Sequence, residues 1–130
     1  MENVDLLLTH CAKMDDNDVA IFARNHCSTK VTVLGSTQTL TVKLGQHEIT
    51  SNAICHRTIQ TEMLRNTHQK LADENCVSLA DWDASVSKTI PVGQFNEPED
   101  VAALVAFLAS DEAGYIKSQA NNLDGGIVFN

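Results

Sequence analysis

Ile90-Pro91-Val92-Gly93-Gln94-Phe95-Asn96-Glu97-Pro98-Glu99-Asp100-Val101 is the stretch that decides the fold. Its second half opens a helix. Proline suits the first helical position, where its missing N–H would have no intrahelical partner, and Pro98 stands there. Glu99 and Asp100 follow at the end where the helix dipole favours negative charge. Val101, Leu104, Val105 and Leu108 then recur at i, i+3, i+4 and i+7, the spacing of one buried helical stripe. Ser110-Asp111-Glu112-Ala113-Gly114 ends that run, and Gln119 to Leu123 reads as a last strand leading into a Gly125-Gly126 turn.

Further toward the N-terminus the signals are mixed. From Lys30 to Leu44 the chain is rich in threonine, and Leu40, Val42 and Leu44 alternate with Thr39, Thr41 and Lys43; periodicity alone predicts a strand. Glu48 to Cys55 reads as a short buried strand, with Ile49, Ala53 and Ile54 apolar. Ser51 places a hydroxyl where a fully buried parallel strand favours an aliphatic. Asn66 to Ser87 is polar, holds the only tryptophan, Trp82, and predicts two short helical pieces around a loop at Asn75 to Ser78. Asp15-Asp16-Asn17-Asp18 lacks the alternating spacing and the later glutamate of a calcium loop, and reads as a solvated loop.

Composition narrows the partners. A chain of 130 residues is too short for a complete doubly wound sheet of about six strands with its helices. The net charge of −8, with Lys and Arg totalling 9, argues against a nucleic-acid partner, since phosphate backbones are held by concentrated basic groups. No apolar run approaches the roughly 20 residues of a membrane span, and the expectation is a soluble, cytoplasmic protein with no membrane partner. Cys11, Cys27, Cys55 and Cys76 form no C-x-x-C pair, so reduced thiols are expected. Three of them adjoin a histidine, His10, His26 and His56, but neighbouring residues point in different directions, and no metal site is expected.

Pro91 to Ser110 and Asp124-Gly125-Gly126 resemble the closing third of short-chain dehydrogenase/reductases. The resemblance runs from about Cys27 to Asn130 and corresponds to the C-terminal half of such an enzyme. It implies an α/β fold: the C-terminal part of a Rossmann-like doubly wound parallel sheet, incomplete, with about two strands and three or more helices. Residues 1–25 then form a divergent N-terminal segment and residues 26–130 the family-like half. It also implies that Lys30 to Gly45 is the long helix after the family's active-site lysine, with Gly45 as its stop. Thr32, Thr37, Thr39 and Thr41 each weaken such a helix by a few tenths, about 0.5 kcal/mol, relative to alanine, so it depends on packing.

In that family a Tyr-x-x-x-Lys pair shares one helical face: the tyrosine exchanges a proton with the substrate oxygen, and the lysine lowers its pKa and holds the nicotinamide ribose. The resemblance puts Lys30 at the lysine position, and the residue four earlier is His26. His26 in place of the tyrosine is one reading, a relic of a lost site the other; an imidazole exchanges protons near neutral pH but is shorter than a phenol. The family's catalytic serine has no counterpart beside Thr9, Lys13 and Met14. After the strand, His56-Arg57 stand where the family has Pro-Gly, and glycine there lets backbone approach the cofactor. Ile59 and Thr61 match the cofactor-contacting positions, with core packing or a turn role as the alternative.

The six glycines, Gly35, Gly45, Gly93, Gly114, Gly125 and Gly126, allow no glycine-rich phosphate cradle. By resemblance the cofactor is NAD or NADP and the substrate a small ketone, diketone or polyol, since Thr37-Gln38-Thr39, Met63 to Thr89 and the last seven residues look most like acetoin/diacetyl reductases and butanediol dehydrogenases, with polyol dehydrogenases and carbonyl reductases close behind. The expectation is a truncated oxidoreductase, inactive by itself. The alternative is a non-catalytic module that forms a homo-oligomer or pairs with a full-length homologue.

Overall fold

A computed structural model describes residues 21–128. The acidic run at Asp15 to Asp18, and most of the segment 1–25, lie outside the described residues. Helix α1 spans Ile21–Leu44 and ends in a 3-10 turn at Gly45–His47; strand β1 is Ala53–His56. Helices α2 (Glu62–Glu74), α3 (Leu79–Ser87) and α4 (Pro98–Leu108) follow, then a 3-10 turn at Asp111–Ala113 and strand β2 (Ala120–Leu123). The two strands pair in parallel, Ala53 opposite Ala120 and His56 opposite Leu123. Two parallel strands and four helices are the C-terminal part of a Rossmann-like α/β fold, as the resemblance implied.

The threonine-rich run is helix, not the strand that its alternation predicts. Leu40 and Val42 both stay exposed, Val42 by 83%, so the alternation marks no buried face. Threonine hydroxyls compete for backbone partners, and here they find them inside the helix: Thr37 Oγ1 donates to Val33 O at 2.9 Å, and Thr39 Oγ1 to Gly35 O at 3.0 Å. Thr41 Oγ1 donates to Thr37 O and also to Ser51 O at 3.2 Å, which ties the helix to the approach of β1.

The buried strand is shorter than Glu48 to Cys55 predicts and begins at Ala53. Glu48 has φ 63°, a left-handed turn that precedes the extended segment. Thr50, Ser51 and Asn52 are buried, and Asn52 carries polar duties: its Nδ2 donates to Ile116 O at 2.7 Å, and its Oδ1 accepts from Gln119 N at 3.1 Å. Ser51 O accepts from Ser118 N at 2.8 Å, and the continuous ladder with β2 begins at Ala53.

Ile54, Leu108 and Ala113 form the core, with Leu104, Val105, Ile116 and Leu123 packed against them. The predicted stripe of α4 therefore covers the sheet. Pro98 opens that helix, and Asp100 Oδ2 accepts from Glu97 N at 2.9 Å. At the far end of β2, Asp124 Oδ1 and Oδ2 accept from Gly126 N (3.0 Å) and Val128 N (2.9 Å), closing the Gly125-Gly126 turn. That turn rests on the Ile90–Gly93 turn through Val92 N to Gly125 O at 3.2 Å. The two motifs read together in the sequence are thus in contact in space.

Candidate functional site

Parallel strands place their carboxyl ends on one side, and open α/β sheets bind ligands there. In this chain that side carries His56 at the end of β1, Arg57 just after it, and Asp124 after β2. A cavity of about 310 Å³ opens between them, lined by Arg57, Asn96, Asp100, Leu123 and Asp124. Arg57 occupies the position that glycine would leave open, so its side chain forms part of the wall.

Lys30 lies on α1, half-buried. The structure brings its charge to the carboxyl end of β1, where the ammonium acts on His56. Burial and, second to it, the charge of Lys30 hold the His56 imidazole below its ordinary pKa, because both disfavour a second positive charge. His26 sits on the first turns of α1, and its side chain lies outside the described residues. His56 was legible in the sequence only as a replacement for proline; its proximity to Lys30 needed the fold.

Ile59 and Thr61 form the entry to α2. Ile59 makes an isolated parallel bridge with Asn96, flanked by Gln60 N to Asn96 O at 2.8 Å and Asn96 N to Thr58 O at 3.1 Å. Thr61 caps α2, its Oγ1 accepting from Leu64 N at 3.2 Å. Thr58 before them has φ 50°, an uncommon conformation for a branched residue and a sign that the surrounding bonds dictate the backbone.

One feature escaped the sequence altogether. His68 on α2, only 7% exposed, has Nδ1 2.5 Å from Asp83 Oδ1 on α3, and the Phe95 ring lies 5.7 Å from the imidazole. A histidine and an aspartate fifteen residues apart in two polar helices carry no pairing signal until the helices are laid side by side.

Comparison with known proteins places this arrangement. The sequence model described as enoyl-(acyl carrier protein) reductase matches residues 14–128. A short chain dehydrogenase family protein from Francisella tularensis subsp. tularensis has the same fold over 97% of this chain and 51% of its own, with TM-score 0.83 and 25% identity. The chain belongs to the short-chain dehydrogenase/reductase family. Among its relatives, the human (3R)-3-hydroxyacyl-CoA dehydrogenase is 36% identical over 105 residues, covering 81% of this chain and 36% of the relative. The diacetyl reductase [(S)-acetoin forming] of Staphylococcus epidermidis is 35% identical over 105 residues, covering 80% of this chain and 41% of the relative. The chain thus spans about two fifths of the length of curated relatives it matches.

Short-chain dehydrogenase/reductases are oxidoreductases that use NAD(P)H, and this chain is a portion of that design. Residues that would meet the nicotinamide end of the cofactor, by the family's pattern, are Lys30, Ile59 and Thr61. Lys30 fits such a group: a half-buried ammonium beside the strand ends. Thr61 already uses its hydroxyl as a helix cap, and Arg57 lines the cavity at the strand ends. Among the described residues, no group of three or more His, Cys, Asp and Glu side chains converges to hold a metal, and no helix is long and apolar enough to cross a membrane.

Proposed function

We propose that these residues are the nicotinamide-side and substrate-side half of an NAD(P)-dependent oxidoreductase that interconverts a secondary alcohol and a ketone, with small ketones, diketones or polyols as substrates. The observation that supports this reading is Lys30 set beside the carboxyl end of β1. In this reading Lys30 holds the nicotinamide ribose, Ile59 and Thr61 flank the ring, and His26 takes the position of the proton-exchanging tyrosine. When bound, the cofactor supplies or accepts the hydride; the side chains of this chain orient the substrate oxygen and move its proton. The chain has no glycine cradle for the pyrophosphate, and Arg57 stands where backbone must approach the ring, so by itself it binds the dinucleotide too weakly to turn over. Diacetyl-dependent oxidation of NADH and NADPH tests the reading. The double variant His26→Tyr/Arg57→Gly is expected to oxidise either cofactor faster than the parent, and a folded variant without that gain would refute it.

A second reading rests on a different observation. Val31 (63% exposed) and Val42 lie uncovered along α1, and Phe107 does so on α4. We propose that these faces meet a second copy of the chain or a full-length homologue. Sedimentation of the purified chain distinguishes a homo-oligomer from a monomer that associates only with the longer relative.

A further inference from the structure

In a chain of net charge −8, the carboxyl end of β1 gathers basic side chains: His56 ends the strand, Arg57 follows it, and the charge of Lys30 reaches the same place from α1. All three residues are half-buried. Burial first, and the Lys30 ammonium second, hold the His56 imidazole below its ordinary pKa, so positive charge from α1 is felt at the strand end. A guanidinium keeps its charge whatever it bonds to, and Arg57 therefore adds a second fixed cation.

Two carboxylates share the cavity wall with Arg57: Asp100 from α4 and Asp124 after β2. Both are engaged with backbone amides. Asp124 accepts from Gly126 N and Val128 N through its two oxygens, and Asp100 Oδ2 accepts from Glu97 N. Asp100 is also exposed, where water and salt screen it. Lys30 lies outside that wall. The two aspartates weaken the positive field at the strand ends, and the two cations remain its closest sources on the β1 side.

A nicotinamide ring changes charge in the reaction proposed above, and charge beside the ring is one way a protein tunes it. The oxidised ring is a cation. It gains a hydride, one proton with two electrons, at a ring carbon and becomes neutral, while the alcohol that gives up the hydride also releases its hydroxyl proton and becomes a ketone. Fixed cations nearby repel the oxidised ring and leave the neutral one alone. Two unit charges about 6 Å apart at an effective dielectric of about 20 shift a binding ratio by on the order of a hundredfold. With the two aspartates opposing, about tenfold is expected.

We infer that Lys30 and Arg57 make the carboxyl end of β1 selective for the reduced nicotinamide over the oxidised one. This selectivity presupposes the nicotinamide-side reading given above. It acts on occupancy and release: the reduced cofactor is taken from a mixed pool and the oxidised one leaves readily, whereas the equilibrium between ketone and alcohol in solution stays as it is. Glycine at position 57 would contribute no such charge, so the selectivity depends on the arginine that this chain carries there.

The test is titration of the whole chain with reduced and with oxidised nicotinamide mononucleotide at millimolar concentrations, followed by saturation-transfer NMR. The two probes share ribose and phosphate, so the ratio of their affinities isolates what senses the ring. The reduced form should bind about tenfold more tightly. Arg57→Met keeps the length of the side chain without its charge and should lower the ratio several-fold, whereas Arg57→Lys should preserve most of it. Equal affinities, tighter binding of the oxidised form, or an unchanged ratio in a folded Arg57→Met chain would overturn the selectivity and leave the nicotinamide-side reading in place. Binding of neither form would refute that reading itself, and the selectivity with it.

Discussion

Replacing Gly125 by alanine should be among the most damaging single methyl additions in this chain. The residue has φ 66°, and a Cβ built there would sit 2.6 Å from Ile90 Cγ2. Two costs add. An L-residue forced into the left-handed region loses about 1–2 kcal/mol, and overpacking a closed contact costs about 1–3 kcal/mol, so we expect about 2–5 kcal/mol in total. Ile90 is almost completely buried and cannot move aside freely. Gly93 supplies an internal control: its φ is 80°, but nothing lies within 4 Å of a Cβ built there. Gly93→Ala should therefore show the dihedral cost alone, about 1–2 kcal/mol. Urea unfolding followed by circular dichroism measures both, and the difference between them isolates the clash with Ile90. Equal losses in the two variants, or a Gly125→Ala loss below that of Gly93→Ala, would refute the claim that the two turns pack on each other.

Two further outcomes are expected. Ser51 Oγ is buried without a hydrogen-bond partner among the described residues, and Ser51→Ala should stabilise the fold by about 1 kcal/mol in the same urea assay, since an unpaired buried hydroxyl costs about 1–3 kcal/mol. His56 has its pKa lowered by folding, so the unfolded chain binds more protons below about pH 6.5, and stability should rise with pH through that range and fall on acidification. Lys30→Met should move the His56 titration upward in an NMR pH series; an unmoved curve would mean that Lys30 does not reach it.

Much of this fold was legible because local chemistry and tertiary structure agree. Pro98, Asp100 and the Val101–Leu108 stripe each mark the same helix, and its cap and buried face follow from them. The turn at Asp124 to Gly126 was legible for the same reason: positive φ at both glycines, with an aspartate to accept the amides of Gly126 and Val128. The helix from Lys30 to Gly45 was legible through the resemblance and not through periodicity, because its threonines satisfy themselves through i−4 bonds that leave no trace in hydrophobic period. Strand β1 was placed too early because Glu48 turns left-handed and the approach to Ala53 is held by one backbone bond at Ser51 and the side chain of Asn52, short of a continuous ladder. At the site, Lys30 was located by resemblance, but its effect on His56 and the pairing of His68 with Asp83 depend on distances between elements that sequence spacing does not encode.

The most direct measurement is a calorimetric titration of the folded chain with NADH and with NADPH, beside its Arg57→Gly variant. We expect no saturable binding at micromolar cofactor for the parent chain, and measurable binding once the arginine is removed from the approach to the nicotinamide. Saturable micromolar binding by the parent would contradict the proposal that these residues cannot seat the dinucleotide alone.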